Sequence, residues 1–152
     1  MTRHVWIVDN DASKYNTPEA LCSAARRLRE EGIEWKIHPT SQHMAPRQIQ
    51  DPDAIIVDND TGDGLVTLPM LLDMFSVPTA YVTVYDRTQL KNQFDAIMDG
   101  RYPSSLTGHA DPRIIEEKGV VLIRKAGRNV NKDYGAEKLQ NDLYQFLTTA
   151  SR

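Results

Sequence analysis

Cysteine is almost missing from this sequence of 152 residues, which contains only Cys22. A single cysteine excludes an intramolecular disulfide and a cysteine-cluster metal site. Long apolar runs are missing too, since none approaches the roughly 18 residues that a membrane span requires. The segment from Met1 to Asp11 has no long apolar stretch followed by small residues, which argues against a secretory signal. These absences predict a soluble cytoplasmic protein that does not cross a membrane.

A strong net charge is also lacking. Lys and Arg number 18 against 21 Asp and Glu, so the formal net charge is −3. This balance argues against a strongly basic nucleic-acid-binding module. Hydrophobic residues make up 40% and charged residues 26% of the chain, as in globular proteins. We therefore predict one domain over residues 1–152, large enough to bury a full hydrophobic core.

Short apolar runs alternate with helical patterns along the chain. Buried parallel strands are short and apolar on both faces, whereas surface helices carry an apolar stripe. The predicted strands are His4 to Val8, Ile33 to Ile37, Asp53 to Val57, Pro78 to Val84 and Gly119 to Ile123. The predicted helices are Thr17 to Gly32, about Thr67 or Leu68 to Phe75, one opened by Asp86 or Thr88, and about Gly135 to Thr148. This alternation predicts a three-layer α/β sandwich around a five-stranded parallel sheet, receiver-like or flavodoxin-like.

One segment, from Asp99 to Lys118, is extra to that pattern. Its glycines and prolines indicate a loop, and Asp111-Pro112 is typical of the start of a short helix reaching Glu117. The apolar pair Ile114-Ile115 in that helix needs cover from the rest of the protein. We predict a loop and helix that lie beside the last strand.

Polar side chains follow several strands at the point where each strand ends. Asp9 and Asp11 follow the first strand, Asp58 the third, Thr83 ends the fourth, and Lys125 follows the fifth. Parallel α/β sheets bind ligands at the carboxyl ends of their strands. Neighbouring carboxylates repel unless a cation joins them, and Mg²⁺ prefers such oxygen ligands. The pattern predicts an acidic, Mg²⁺-compatible pocket, although acids at strand ends also serve simply as turn formers.

These residues resemble the receiver domain of two-component response regulators. The matching segments are VWIVDND (Val5 to Asp11), DAIIVDND (Asp53 to Asp60), DGL (Asp63 to Leu65), VPTAYVTVYD (Val77 to Asp86) and, more weakly, VLIRKAG (Val121 to Gly127). The resemblance implies that Asp58 accepts a phosphoryl group, that Thr83 and Lys125 assist it, and that Asp9, Asp11 and Asp58 bind Mg²⁺. It also implies a signalling module that acts through protein partners, with a homodimer as one form. Asn10 and Ala126 depart from the family pattern, so a degenerate pseudo-receiver is an alternative.

The chain is also similar to nucleoside 2-deoxyribosyltransferases. The segments concerned are DPDAIIVDNDTGDG (Asp51 to Gly64) and PTAYVTVYDR (Pro78 to Arg87). That family implies a nucleoside- or nucleotide-processing enzyme with a nucleophilic carboxylate in the helix before the fourth strand. Here that helix contains no Glu; its only acid is Asp73, and Asp63 lies in the preceding loop. We therefore rank this hypothesis second. A non-catalytic interaction protein, whose acids only form turns, is the third.

Overall fold

The fold is a five-stranded parallel sheet between two layers of helices. The structure, a computed structural model, describes residues 1–8, 17–40, 50–59, 64–99, 112–125 and 132–152. The strands are β1 (Thr2–Val8), β2 (Glu34–Thr40), β3 (Ala54–Asn59), β4 (Thr79–Thr83) and β5 (Val121–Arg124). The helices are α1 (Thr17–Glu30), α2 (Gly64–Met74), α3 (Arg87–Met98), α4 (Arg113–Glu117) and α5 (Lys132–Ala150). The strand order is β2-β1-β3-β4-β5, and every neighbouring pair is parallel.

Each face of the sheet carries its own hydrophobic core, because successive side chains of a strand point to opposite faces. On one face, Val5, Ile56 and Val82 pack with residues of α1 and α5. On the other face, Trp6 and Tyr81 pack with residues of α2, α3 and α4. The predicted three-layer sandwich with a five-stranded parallel sheet is therefore confirmed.

Several predicted element boundaries differ from the structure by a few residues, and two of these differences involve a proline. Strand β2 continues past Ile37 to Thr40 and includes Pro39, which is possible because β2 is an outer strand of the sheet. Helix α2 begins at Gly64 rather than near Leu68, with Pro69 inside it. Pro69 lies in the second turn, where its missing N–H removes one helical hydrogen bond, so the apolar segment remains helical on both sides of it.

The first turns of α3 and α1 are capped differently. The backbone N–H of Gln89 donates to Asp86 Oδ1 at 2.8 Å, and that of Asp86 donates to Gln89 Oε1 at 2.9 Å. This reciprocal capping box starts α3 directly after β4 and confirms Asp86 as its cap. Thr17, by contrast, is the first residue of α1, and its buried Oγ1 has no hydrogen-bond partner in the described part of the chain. Among the described residues, the Thr17 hydroxyl therefore caps no backbone N–H of α1.

Of the extra segment, Asp99 and residues 112–118 are described, so the predicted loop at 100–111 lies outside the described residues. Helix α4 occupies Arg113–Glu117, and its Ile115 is 1% exposed within the core shared with Leu90 of α3. An ion pair between Arg87 and Glu116 also joins α3 to α4. The apolar pair Ile114-Ile115 is thus covered by the protein's own core. Among the described helices, none is long and apolar enough to span a membrane.

Candidate functional site

The candidate site lies at the carboxyl edge of the sheet, where β3, β4 and β5 end side by side. Asp58 belongs to β3, Thr83 ends β4, and Lys125 follows β5 directly. Asp9 and Asp11, the predicted metal ligands after β1, lie outside the described residues. The structure therefore places three of the five predicted site residues.

Asp58 and Lys125 form a buried ion pair. The Lys125 Nζ donates a hydrogen bond to Asp58 Oδ1, and the two side chains are 1% (Asp58) and 2% (Lys125) exposed. β4 lies between β3 and β5, so the two side chains reach each other across the end of an intervening strand. Residues 67 positions apart in the chain thus meet as a single charged group.

Strand alternation explains why these two side chains meet. Asp58 follows Ala54 and Ile56 at intervals of two residues, and Lys125 follows Ile123 in the same way. Ala54, Ile56 and Ile123 all belong to the core under α1 and α5, so Asp58 and Lys125 continue that same face beyond its apolar part. The backbone N–H of Lys125 donates to the Thr83 carbonyl at 3.0 Å. This bond holds Lys125 against β4, one residue past the end of the strand.

Thr83 is adjacent to the ion pair but faces the other side of the sheet. Its register partner on β3 is Asn59, whereas Asp58 pairs with Val82. Thr83 shares the alternation of Tyr81, which packs on the α2–α4 face. The Thr83 Oγ1 accepts the backbone N–H of Tyr85 at 3.2 Å. In this structure the hydroxyl therefore supports the turn after β4. Asp58 and Lys125 are joined through their side chains, whereas Thr83 contacts Lys125 only through the backbone.

Arg124 contributes a contact that the sequence does not reveal. Its guanidinium donates to the Val84 carbonyl at 2.9 Å, while its backbone pairs with Thr83 in the sheet. The β4 exit, from Thr83 to Tyr85, is thus held by both its own threonine and the neighbouring strand. The cluster of basic residues from Arg124 to Lys132 is evident in the sequence, but its local spacing does not indicate which of them would contact the backbone of β4.

In the described part of the chain, the nucleophilic carboxylate that the deoxyribosyltransferase hypothesis requires is not at the carboxyl edge of the sheet. Helix α2 begins after β3 and returns the chain to the start of β4, so its last residues approach the amino edge of the sheet. Asp73 lies in the last turn of α2 and is exposed. Asp63 lies outside the described residues. Asp73 is therefore at the opposite end of the sheet from Asp58.

Two of the three predicted metal ligands, Asp9 and Asp11, lie outside the described residues. Within the described residues, no three His, Cys, Asp or Glu side chains form a group that could hold a metal ion. Val8 and Val57 are register partners on the adjacent strands β1 and β3. The residues that follow them in the chain are Asp9 and Asp58, so the strand register is compatible with the predicted acidic pair.

Comparison with known proteins identifies the fold. No protein-family model matches this chain, and no curated protein matches it. A cysteine-to-alanine mutant of a flavodoxin from Pseudomonas aeruginosa matches with a TM-score of 0.50 and 15% identity, covering 97% of this chain and 99% of that chain. An NAD(P)H:quinone oxidoreductase from Methanothermobacter marburgensis matches with a TM-score of 0.48 and 12% identity, covering 95% of this chain and 97% of that chain. A two-component response regulator from Clostridium difficile matches with a TM-score of 0.44 and 16% identity, covering 96% of each chain.

At these identities the comparisons establish the architecture and nothing more specific. The strand order β2-β1-β3-β4-β5 is that of the flavodoxin-like fold. The chain has a flavodoxin-like fold. A choice among the functions that this fold supports depends on the site itself.

Proposed function

We propose that this protein is a receiver-like regulatory module, with Asp58 as the acceptor of a phosphoryl group and Lys125 as the cation that responds to it. The observation that carries the proposal is the ion pair between the end of β3 and the residue after β5. A carboxylate acceptor needs a positive charge beside it, because the incoming phosphoryl group adds negative charge. Lys125 supplies that charge from a separate strand, in the order that the receiver resemblance implies.

The transfer would proceed by attack of an Asp58 carboxylate oxygen on the phosphorus of an activated donor such as an acyl phosphate. The bond from phosphorus to the donor oxygen breaks, and the leaving carboxylate keeps the electron pair. Lys125 donates to Oδ1 of the same carboxylate. The Lys125 ammonium then has a phosphoryl oxygen as a competing, more highly charged acceptor. If Lys125 moves away from Oδ1, its contacts with β4 change. Phosphorylation of Asp58 would in this way alter the surface near the end of β4.

Mg²⁺ belongs to this proposal as the cation that neutralises phosphoryl oxygens when bound. Asp58 would hold it together with Asp9 and Asp11, which supply the carboxylate oxygens that Mg²⁺ prefers. The output would be a change in binding to a protein partner or to a second copy of the chain. Thr83 adjoins the site through the backbone contact with Lys125 and would transmit the change to the turn at Tyr85.

Acetyl phosphate with Mg²⁺ tests the proposal directly. The intact-protein mass of the wild type should rise by one phosphoryl group, and that of Asp58→Asn should not. Asp73→Asn is the matched control, because it removes an exposed carboxylate at the other edge of the sheet and should leave the adduct unchanged. Lys125→Gln should slow adduct formation.

Two results would overturn the proposal. One is the absence of an adduct in folded wild-type protein with both reagents present, which would favour a non-catalytic interaction protein. The other is an adduct that persists in Asp58→Asn. Release of free base from a deoxynucleoside, lost in Asp73→Asn, would instead establish the nucleoside-processing alternative.

A further inference from the structure

A pair of histidines lies on the sheet away from the candidate site. His4 of β1 and His38 of β2 place the Nδ1 of His4 and the Nε2 of His38 2.8 Å apart. Their ring centroids are 5.1 Å apart with an interplanar angle of 30°. The pair is partly buried, on the outer strand β2 and its neighbour β1. Two ring nitrogens thus converge on one point that solvent can reach.

The strand register fixes this convergence. His4 lies opposite Lys36, and His38 lies opposite Trp6, so the two histidines are diagonal neighbours on one face. The main chain of β1 is also tied at this position. Asp53 Oδ2 accepts the His4 backbone N–H at 2.8 Å, and the His4 carbonyl accepts the Asp53 N–H at 2.7 Å. The sheet therefore fixes the main chain that carries both histidines before any ligand binds.

We propose that His4 and His38 form a two-histidine site for a divalent transition-metal ion such as Zn²⁺, Ni²⁺ or Cu²⁺. Imidazole nitrogen is a preferred ligand of these ions. A tetrahedral metal bound to both rings at roughly 2.0–2.1 Å separates the two nitrogens by about 3.4 Å. The two nitrogens, now 2.8 Å apart, need to separate by about 0.6 Å, and the rings need to turn toward the shared ion. Solvent would complete the coordination, so binding is reversible and the ion exchanges with the medium.

Binding requires a lone pair on each of the two facing nitrogens. Each neutral ring then keeps its proton on its other nitrogen, Nε2 of His4 and Nδ1 of His38, so one ring changes tautomer and no net proton is released.

Charged residues on the same face tune the affinity. Glu34 and Lys36 share the alternation of His38 on β2, and both are exposed. The Lys36 ammonium opposes a bound cation, whereas the Glu34 carboxylate favours it. Lys36→Gln should therefore tighten metal binding, a gain that damage to the fold would not produce.

Titration of the full-length protein with Zn²⁺ tests the site. Wild type should bind one Zn²⁺ at this pair, and His4→Gln or His38→Gln should weaken that affinity by about tenfold or more, because one ligand of the chelate is lost. His43→Gln and His109→Gln, which change the two other histidines of the chain, are the matched controls and should bind as wild type. Excess Mg²⁺ should not displace the Zn²⁺, which separates this site from the acidic pocket.

A second measurement identifies the ligands independently of affinity. The electron paramagnetic resonance spectrum of one equivalent of Cu²⁺ should show coupling to two nitrogens in the wild type. The coupling should fall to one nitrogen in His4→Gln, in protein whose circular dichroism matches the wild type. Equal Zn²⁺ affinity in the wild type and both variants, or an equal loss in His43→Gln, would overturn the assignment. These results do not depend on whether Asp58 accepts a phosphoryl group.

Discussion

At the scale of single residues, the buried Asp58–Lys125 pair adds little to the stability of the fold, although its charges suit the proposed chemistry. Both side chains are almost fully buried, and two charges removed from water gain little net stability even when they contact each other. Apolar residues of similar volume would hold the strand ends together as well or better. Two charges at this buried position suit the proposed role, in which the pair is separated and re-formed.

A double-mutant cycle on this pair measures that cost. Lys125→Met alone should lower the free energy of unfolding by about 3–5 kcal/mol, since it removes the buried cation that Asp58 contacts. Asp58→Leu combined with Lys125→Met should recover most of the loss. The exposed pair Lys138–Asp142 is the control, and Lys138→Met should cost only about 0.3–0.5 kcal/mol. Urea unfolding provides the values, and additive single losses in the double variant would contradict the expected coupling.

Tyr144 gives a residue-scale prediction about pH. Its hydroxyl donates to Glu31 Oε1 at 2.6 Å, and this hydrogen bond is the main reason that the pKa of Tyr144 is raised. Stabilisation from a raised tyrosine pKa is complete below the unfolded value of about 10 and is lost as pH rises through the folded value. Wild type should therefore lose more stability above about pH 10 than Tyr144→Phe does. Parallel stability curves for the two proteins through that range would refute the prediction.

At the scale of elements, α1 ends in a local motif at Gly32, the residue at which the sequence predicts the end of the helix. Gly32 has a φ of 86°. The N–H of Gly32 donates to the Arg29 carbonyl at 3.0 Å, and that of Ile33 donates to the Leu28 carbonyl at 2.9 Å. These two bonds form a Schellman motif, which turns the chain from α1 into β2. The same helix places Leu21, Ala24, Ala25 and Leu28 in the core, as their spacing predicts.

Substitution of Gly32 isolates the backbone contribution of this motif. A Cβ at Gly32 would have no heavy atom within 4 Å, so Gly32→Ala should be destabilising by about 1–2 kcal/mol through its left-handed conformation alone. Gly32→Asn should cost less, because asparagine tolerates that conformation better. Thermal unfolding of both variants checks the order. A Gly32→Asn loss as large as that of Gly32→Ala would indicate a steric rather than a conformational cause.

At the scale of the whole molecule, the layers and the parallel sheet follow from local patterns, whereas the site depends on long-range register. Apolar runs such as Ala54 to Val57 predict buried strands by composition alone. The Asp58–Lys125 contact arises because both residues continue one face of the sheet across β4, which no local spacing encodes. The histidine pair has the same origin, since His4 and His38 meet only once β1 and β2 are in register. The predicted start of α2 was too late because the free-energy cost of Pro69 inside the helix is smaller than the stabilisation from apolar packing on both sides of it.

Pro39 also makes the two margins of the sheet unequal as templates for intermolecular strand addition. An outer strand can recruit another chain through its unpaired backbone groups, and proline has no N–H to contribute. β2 contains Pro39, whereas β5 contains no proline, exposes Val121 and borders a groove of about 700 Å³ against α5. Crowded or refolding copies of this chain should accordingly add strands at β5 and not at β2, so that any extended assembly begins from one margin only.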